Sequence, residues 1–413
     1  MNNDFGLIGE KLIHSFSPEI HSVIGNYPYE LKELSPDELG DFLKNTEFSG
    51  INVTIPYKKD VIPHLDFVEE NAKNIGAVNT IVNKDGKLSG YNTDFAGMRA
   101  LIVNNGINIK GKKVLILGTG GTSNTACAVA KNLEAAEILR VSRSKKDGVI
   151  SYEEAYSDYS DANIIINTTP SGMYPNVDAM PIDIDQFTGV EAIVDVIYNP
   201  LNTKLTVEAH KRGIKAVGGL YMLVAQAVYA SGYFFDKEIN KEDIDRIYKE
   251  LYNEKQNIVI VGMPSAGKTS VGRELAKRLN MTFVDSDDVI VENIGMSIKD
   301  YFAQNNEKAF RDRESEAILD IAKKNNQVIA TGGGVVLRQE NVDFLKMNGE
   351  IVFLDRNVED LLVTDDRPLS KSMDAIKEMY KIRRPLYEAA ADKTVKVIGN
   401  LKETIDTVEG VTK

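Results

Sequence analysis

Only one cysteine, Cys127, occurs in 413 residues, so no intrachain disulfide can form. It stands in Ala126-Cys127-Ala128-Val129, a setting for a small buried residue rather than a catalytic thiol. A basic surplus is also missing: 49 Lys and Arg face 61 Asp and Glu, for a net charge of −12. Residues 1–250 hold 25 basic and 34 acidic side chains, and residues 251–413 hold 24 and 27. Neither half offers a polyanion-binding surface, and no nucleic-acid partner is expected. The most apolar stretch, Leu220–Phe235, is broken by Gln226 and too short to span a bilayer, so it reads as a buried helix with no membrane role. The first residues lack a basic-then-apolar signal pattern, and the cytoplasm is the expected location. Charge is uneven locally: residues 151–200 carry nine acids and no base, while residues 101–150 carry eight Lys and Arg against three acids.

The length implies two or three domains. Gly262-Met263-Pro264-Ser265-Ala266-Gly267-Lys268-Thr269-Ser270 reads G-x-x-x-x-G-K-[ST], a phosphate loop. The apolar run Ile258-Val259-Ile260-Val261 before it reads as a buried strand, and residues 271–279 as an amphipathic helix. In that setting the backbone from Gly262 through Ser265, Ala266, Gly267 and Ser270 surrounds a phosphate. Lys268 reaches the terminal phosphates and the Thr269 hydroxyl binds Mg²⁺.

Toward the N-terminus, Phe5-Gly6-Leu7-Ile8-Gly9 reads as a strand, and Ser35-Pro36-Asp37-Glu38 opens a helix with Glu38 reaching back to its cap. Ser15-Phe16-Ser17-Pro18, Asn52-Val53-Thr54-Ile55-Pro56-Tyr57-Lys58, Gly76-Ala77-Val78-Asn79-Thr80 and Asn92-Thr93-Asp94 mix strand formers with polar groups at strand ends. Taken singly, Asp94 reads equally well as a helix cap and Lys58 as a surface lysine. Together, in order and spacing, these motifs resemble shikimate dehydrogenases. The resemblance implies that Ser15 and Ser17 bind a carboxylate, that Thr54, Asn79 and Asp94 bind ring hydroxyls, and that Lys58 and Asp94 form the catalytic pair.

Lys113-Val114-Leu115-Ile116-Leu117 leads into Gly118-Thr119-Gly120-Gly121-Thr122 and a helix over 123–133, a glycine-rich dinucleotide turn. The next strand ends in Ser142-Arg143-Ser144, where an Arg in place of an acid points to a 2′-phosphate and hence NADP. Strands follow over 162–167 and 193–198. By the same resemblance Thr168 and the segment with Gly219 and Met222 border the nicotinamide, while Tyr198 and Gln226 touch the substrate. The resemblance covers residues 4–250. It implies a substrate lobe over 1–105 rejoined by 220–252, and a Rossmann-like lobe over 106–219. The polar stretch 253–257 reads as a short linker.

Beyond it, residues 282–288 read as a strand ending in the carboxylates Asp285 and Asp287, and 307–314 as a charged helix that taken alone is a salt-bridged surface. Val328-Ile329-Ala330-Thr331 runs into Gly332-Gly333-Gly334, and Arg367-Pro368-Leu369 and Arg383-Arg384-Pro385-Leu386-Tyr387 follow. With the phosphate loop this set resembles shikimate kinases, of the nucleoside-monophosphate-kinase-like α/β fold, over 256–413. The resemblance implies Asp285 for Mg²⁺, Asp287 beside the attacking hydroxyl, Arg311 and Arg383 on the carboxylate, Gly333 and Gly334 lining the site, and Arg367 on the transferring phosphate. The segment before Arg367 departs from the family: it is shorter, acidic at Asp365 and Asp366, and has Val363 where an arginine over the adenine is expected. Weaker ATP binding and a smaller lid are the expectation.

The two resemblances imply one bifunctional enzyme of aromatic biosynthesis: 3-dehydroshikimate reduced with NADPH, then shikimate phosphorylated with ATP and Mg²⁺. An alternative keeps the dehydrogenase, acting on shikimate or quinate, and makes the C-terminal half a nucleotide-binding module.

Overall fold

The apolar runs Val114-Leu115-Ile116-Leu117, Ile164-Ile165-Ile166 and Ile258-Val259-Ile260-Val261 are buried along their whole length, as strands covered on both faces must be. The computed structural model describes residues 5–12, 16–25, 27–45, 48–144, 147–361 and 372–412. They form two compact units, Met1–Asn199 with Glu208–Leu251, and Pro200–Val207 with Tyr252–Lys413. No helix among the described residues is long and apolar enough to cross a membrane.

The first unit holds two sheets. One comprises β1 (Phe5–Gly9), β2 (Tyr29–Glu33), β3 (Gly50–Val53), β4 (Phe67–Val68), β5 (Thr80–Lys84) and β6 (Lys87–Tyr91), in the order β2-β1-β3-β5-β6-β4. Its first three strands are parallel, β5 runs antiparallel to β3, and β6 antiparallel to β5. The other comprises β7 (Lys113–Leu117), β8 (Glu137–Val141), β9 (Val149–Ile150), β10 (Ile164–Asn167), β11 (Ala192–Asp195) and β12 (Lys215–Val217), all parallel in the order β12-β11-β10-β7-β8-β9. Strands β10 and β11 are shorter than the sequence suggests, and Tyr198 lies beyond β11.

The helix Leu220–Phe235 returns to the first sheet, as expected. Phe234 packs with Phe5 of β1 and Val82 of β5, and the Phe5 and Phe234 rings meet at 5.2 Å. Glu38 reaches back to Ser35 as its position suggests: its Oε2 accepts the Ser35 N–H at 2.8 Å and the Ser35 hydroxyl at 2.7 Å.

The second unit holds five parallel strands, β13 (Asn257–Val261), β14 (Thr282–Asp285), β15 (Gln327–Ala330), β16 (Gly349–Asp355) and β17 (Lys393–Lys396), ordered β14-β15-β13-β16-β17. The polar stretch 253–257 is not an open linker. Residues 253–255 end the helix Lys241–Lys255, since Glu254 and Lys255 are good helix formers. Asn257 is buried at the start of β13, with its Oδ1 accepting from the Gln327 N–H at 2.9 Å and its Nδ2 donating to the Lys324 carbonyl at 2.7 Å.

A buried polar layer underlies the first sheet. The Tyr29 hydroxyl donates to Asn52 Oδ1 at 2.7 Å and also bonds Ser17. Asn52 Nδ2 donates to Thr80 Oγ1 at 3.1 Å, and Thr80 Oγ1 donates to Asn79 Oδ1 at 3.2 Å. Beneath it lies His21, wholly buried, stacked on Tyr29 at 3.8 Å and hydrogen-bonded to the Tyr27 hydroxyl through Nδ1. Burial lowers the His21 pKa to about 3, only partly offset by Asn52. An unfolded chain protonates this histidine near pH 6.5, so between there and pH 3 the unfolded state binds one more proton and stability falls as pH falls. The slope is about 1.4 kcal/mol per pH unit. Urea unfolding of the first unit at pH 6.5 and pH 5.0 should therefore show the wild type losing about 2 kcal/mol more than His21→Gln. Equal losses would mean that His21 is not held neutral.

Candidate active sites

In the first unit the helix Thr93–Asn104 begins at the end of β6, and its cap is Asn92, whose Oδ1 accepts the Phe95 N–H at 3.1 Å. This corrects the reading of Asp94 as a cap. Because Asn92 satisfies that donor, the Asp94 carboxylate can turn to Lys58: Nζ and Oδ2 lie 2.5 Å apart, with both side chains largely covered. The reading of Lys58 as a solvated surface lysine falls with it. Lys58 follows β3 by a turn in which the Tyr57 N–H bonds the Thr54 carbonyl at 3.0 Å, so Thr54 and Lys58 stand at one strand end.

Asn79 is 3% exposed. Its Oδ1 accepts from the Thr93 N–H at 2.7 Å, and its Nδ2 gives one hydrogen to Thr93 Oγ1 at 3.0 Å, leaving the other for a ligand. Ser17 opens the helix Ser17–Ile24. Ser15 lies outside the described residues. The Phe16 ring meets that of Tyr198 at 5.3 Å, and burial raises the Tyr198 pKa. Gln226 Nε2 is turned back onto the Leu223 carbonyl at 2.9 Å.

The dinucleotide turn is built as its glycines suggest. Gly118 has φ +107°, and a Cβ there would lie 2.9 Å from Thr168 Oγ1. Around Gly120 and Gly121 a Cβ would meet nothing within 4 Å, and the helix Gly121–Asn132 starts with no side-chain cap. Uncapped N–H groups above an open glycine surface fit a pyrophosphate. Ser142, Arg143 and Ser144 follow β8. The Ser144 N–H bonds Ser142 Oγ at 3.2 Å, and Arg143 is exposed with no ion pair among the described residues. A guanidinium so placed can take a 2′-phosphate. Gly219 caps the helix Leu220–Phe235, its N–H bonding the Ile197 carbonyl at 2.7 Å, and Met222 is buried in the first turn. Cys127 is half-buried and burial raises its pKa, as suits an unreactive thiol.

In the second unit the loop from Gly262 to Gly267 joins β13 to the helix Lys268–Leu279. Gly267 has φ +100°, a backbone that only glycine adopts without strain, and Ser265 has φ +62°. Ala266 is buried and Ser270 exposed on the first helical turn. Lys268, 8% exposed, turns its Nζ onto the carbonyls of Gly262 and Met263, both at 2.9 Å. Thr269 Oγ1 donates to Asp285 Oδ2 at 2.8 Å. A hydroxyl paired with one carboxylate beside a phosphate loop suits Mg²⁺, which takes few protein ligands and keeps its waters. No group of three or more His, Cys, Asp or Glu able to hold a metal occurs among the described residues.

Strand β14 stops at Asp285, which caps the helix Ser286–Ile294 by accepting the Asp287 N–H at 3.1 Å, so Asp287 belongs to that helix rather than to the strand. The three glycines after β15 make room for three different neighbours. A Cβ would lie 2.6 Å from Asp287 Oδ1 at Gly332 and 2.8 Å from the Pro264 ring at Gly333, and at Gly334 it would collide with the Arg311 guanidinium. Arg383 Nη1 donates to the Gly333 carbonyl at 2.9 Å, and the Tyr387 hydroxyl donates to the same oxygen. Asp287, Arg311, Arg383 and the glycines thus gather against the phosphate loop. Arg367 and Val363 lie outside the described residues.

Two buried cations stand close here: burial acts first against the charge of Arg383, and the charge of Arg311 adds to it. Burial opposes the charge of Arg311 too, but Glu314, 2% exposed and 2.8 Å away, raises its pKa. Arg311 also pairs with Glu307 at 3.2 Å, so two carboxylates stand beside the two cations, although Arg383 itself makes no ion pair among the described residues. The helix read as a charged surface is so only on one side, where Lys308 pairs with Asp312 and Arg313 with Glu316. Glu314 is the site residue that sequence reasoning misses, and its place three residues from Arg311, on one helical face, is the available signal.

Comparison with known proteins agrees with both halves. Residues 7–81 match the family model of the shikimate dehydrogenase substrate binding domain, and residues 264–408 that of shikimate kinase. The chain is 38% identical over 264 residues to a shikimate dehydrogenase (NADP(+)) of Clostridium perfringens (strain 13 / Type A), covering 60% of this chain and 97% of that one. It is 41% identical over 244 residues to that of Methanococcus maripaludis (strain C6 / ATCC BAA-1332), covering 54% and 87%. Among solved structures, a chorismate mutase/shikimate 5-dehydrogenase fusion protein from Clostridium acetobutylicum matches with a TM-score of 0.58 and 37% identity over 60% of this chain and 96% of that one. Shikimate 5-dehydrogenase from Thermus thermophilus, in complex with NADP(H) and shikimate, matches with a TM-score of 0.54 and 27% identity, covering 60% and 99%. With both nucleotide turns and both sets of surrounding polar groups in place, the chain belongs to the shikimate dehydrogenase family and carries a shikimate kinase domain after it.

Proposed function

We propose that the chain catalyses two consecutive reactions, NADPH-dependent reduction of 3-dehydroshikimate to shikimate and ATP-dependent phosphorylation of shikimate to shikimate 3-phosphate. The observation that carries the reading is the 2.5 Å Lys58–Asp94 pair at the strand ends of a unit that also holds a dinucleotide turn. The kinase half rests on Asp287, Arg311, Arg383 and the glycines converging on a phosphate loop. Residues 1–105 with 220–252 serve as substrate lobe, 106–219 as NADP lobe and 256–413 as kinase domain, in a cytoplasmic enzyme.

In the first site the Lys58 ammonium, oriented by Asp94, donates a proton to the oxygen on which negative charge develops, and Asp94 holds the lysine in place. Ser15, Ser17, Thr54, Asn79, Tyr198 and Gln226 hold the substrate. Gly118, Gly120, Gly121, Thr168, Gly219 and Met222 hold NADP, with Ser142, Arg143 and Ser144 at its 2′-phosphate. The bound dinucleotide supplies the hydride.

In the second site Arg311 and Arg383 take the substrate carboxylate through guanidinium forks, and Asp287 orients the attacking hydroxyl and accepts its proton. Gly262, Ser265, Ala266, Gly267, Lys268, Thr269 and Ser270 hold the ATP phosphates, Thr269 and Asp285 hold Mg²⁺, and Arg367 stabilises the charge on the transferring group. ATP and Mg²⁺ supply the phosphoryl group and its charge neutralisation.

The intact chain given 3-dehydroshikimate, NADPH, ATP and Mg²⁺ should oxidise NADPH and accumulate shikimate 3-phosphate. Lys58→Ala should slow only the first step, by about 10²- to 10⁴-fold, the range for a positioned proton donor. Lys268→Ala should stop only the second. Shikimate accumulating without phosphorylation in the wild type would reduce the C-terminal half to a nucleotide-binding module. A separate check concerns the glycine run: Gly334→Ala places a methyl where the Arg311 guanidinium lies. It should raise the KM for shikimate in the kinase reaction at least about tenfold, the worth of one charge-assisted hydrogen bond, with the ATP KM unchanged. An unchanged shikimate KM would remove Arg311 from the carboxylate site.

A further inference from the structure

Arg356 has no part in the sites described above. It directly follows β16, is half-buried, and donates from Nη1 to the carbonyl of Ser265 in the phosphate loop at 3.3 Å. It makes no ion pair among the described residues. The adjacent carboxylate, Asp355, is already occupied by Arg384 Nη2 at 3.2 Å and by the Tyr380 hydroxyl at 3.4 Å. Partly burying a guanidinium without a carboxylate is unfavourable. The protein nevertheless holds this one against the rim of an anion-binding loop.

The strand order shows which part of a ligand it faces. β13, with the phosphate loop at its end, is central; β15 and β14 lie on one side, β16 and β17 on the other. The helix carrying Asp287 follows β14, and the glycines that accommodate Arg311 and Arg383 follow β15. The acceptor is therefore bound on the β14–β15 side. In-line transfer turns the terminal phosphate of the donor toward the acceptor, so the other end of the polyphosphate runs toward β16. Arg356 stands at that end. Residues 357–366, which follow it, contain four acids and no Lys or Arg, and the next cation in the sequence, Arg367, is assigned above to the transferring group.

We propose that Arg356 binds the polyphosphate of the nucleotide at its α-phosphate end, using the N–H groups that Ser265 does not take. The assignment rests on the kinase reading above. The structural competitor is a brace, in which Arg356 only ties down the Ser265 carbonyl. Glutamine separates the two, because it keeps an N–H for that carbonyl and lacks the charge.

The test is binding of Mg-ATP and of Mg-tripolyphosphate to the full chain, for the wild type, Arg356→Ala, Arg356→Gln, Arg356→Lys and Lys268→Ala. Shikimate affinity without nucleotide, and thermal unfolding, verify that each variant is folded. Arg356→Ala and Arg356→Gln should both weaken ATP and tripolyphosphate by about 10- to 100-fold, the range for a charge-assisted hydrogen bond, and Arg356→Lys should recover most of the loss. The proposal is overturned if Arg356→Gln binds like the wild type, which makes the residue a brace. It is equally overturned if ATP weakens while tripolyphosphate does not, which places the side chain on the base. A wild type that binds no ATP, or binds it no better than Lys268→Ala, is a different failure: it removes the kinase reading itself.

Discussion

A parallel strand must be followed by a crossover, and in this chain the crossover is repeatedly a helix whose first turn lies at the carboxyl edge of the sheet. That constraint positions the chemistry. The dinucleotide turn lies between β7 and its helix, the phosphate loop between β13 and its helix, and Asp287 in the first turn after β14. Each helix presents N–H groups that its own ladder cannot satisfy. A side-chain cap removes one of these donors from use by a ligand. Asn92 and Asp285 cap theirs with side chains, while the starts at Gly120 and Gly267, the two nucleotide turns, are open, as are those after Phe16, Glu69, Gly219 and Arg338.

Capping also decides which carboxylates remain for chemistry. Asp94 sits where a cap residue is common, but Asn92 two positions earlier takes the Phe95 N–H, so Asp94 turns to Lys58. Asp285 does the reverse: one oxygen caps the helix through the Asp287 N–H and the other receives the Thr269 hydroxyl. A single carboxylate thereby ties the second strand end to the phosphate loop. Below the first site the Tyr29–Asn52–Thr80–Asn79 layer gives each buried polar group a partner, which is what fixes side chains in low dielectric.

The strands, both nucleotide turns and the pairing of sequence motifs with strand ends were legible because each has a local signature: an apolar run, a glycine spacing, a polar group at a fixed offset. What was not legible depends on contacts far apart in sequence. Nothing local distinguishes Asn92 from Asp94 as the cap. Asn257 reads as linker because Asn is polar, and only its bonds to Gln327 and Lys324, about seventy residues on, make it a buried strand residue. Glu314 reads as one more charge in a charged helix. Its burial follows from facing Gly332 and Arg311, which the helical period permits but does not require.

The phosphate loop holds cations against its own carbonyls. Lys268 is nearly buried and satisfied by the Gly262 and Met263 carbonyls, and Arg356 rests on the Ser265 carbonyl. A carbonyl is a dipole, so it orients a cation and offsets part of the lost hydration, yet leaves the full positive charge in place. A carboxylate in the same position would have cancelled that charge and competed with the incoming phosphate. The acceptor side follows a different rule: Glu307 and Glu314 both pair with Arg311, while Arg383 rests on the Gly333 carbonyl.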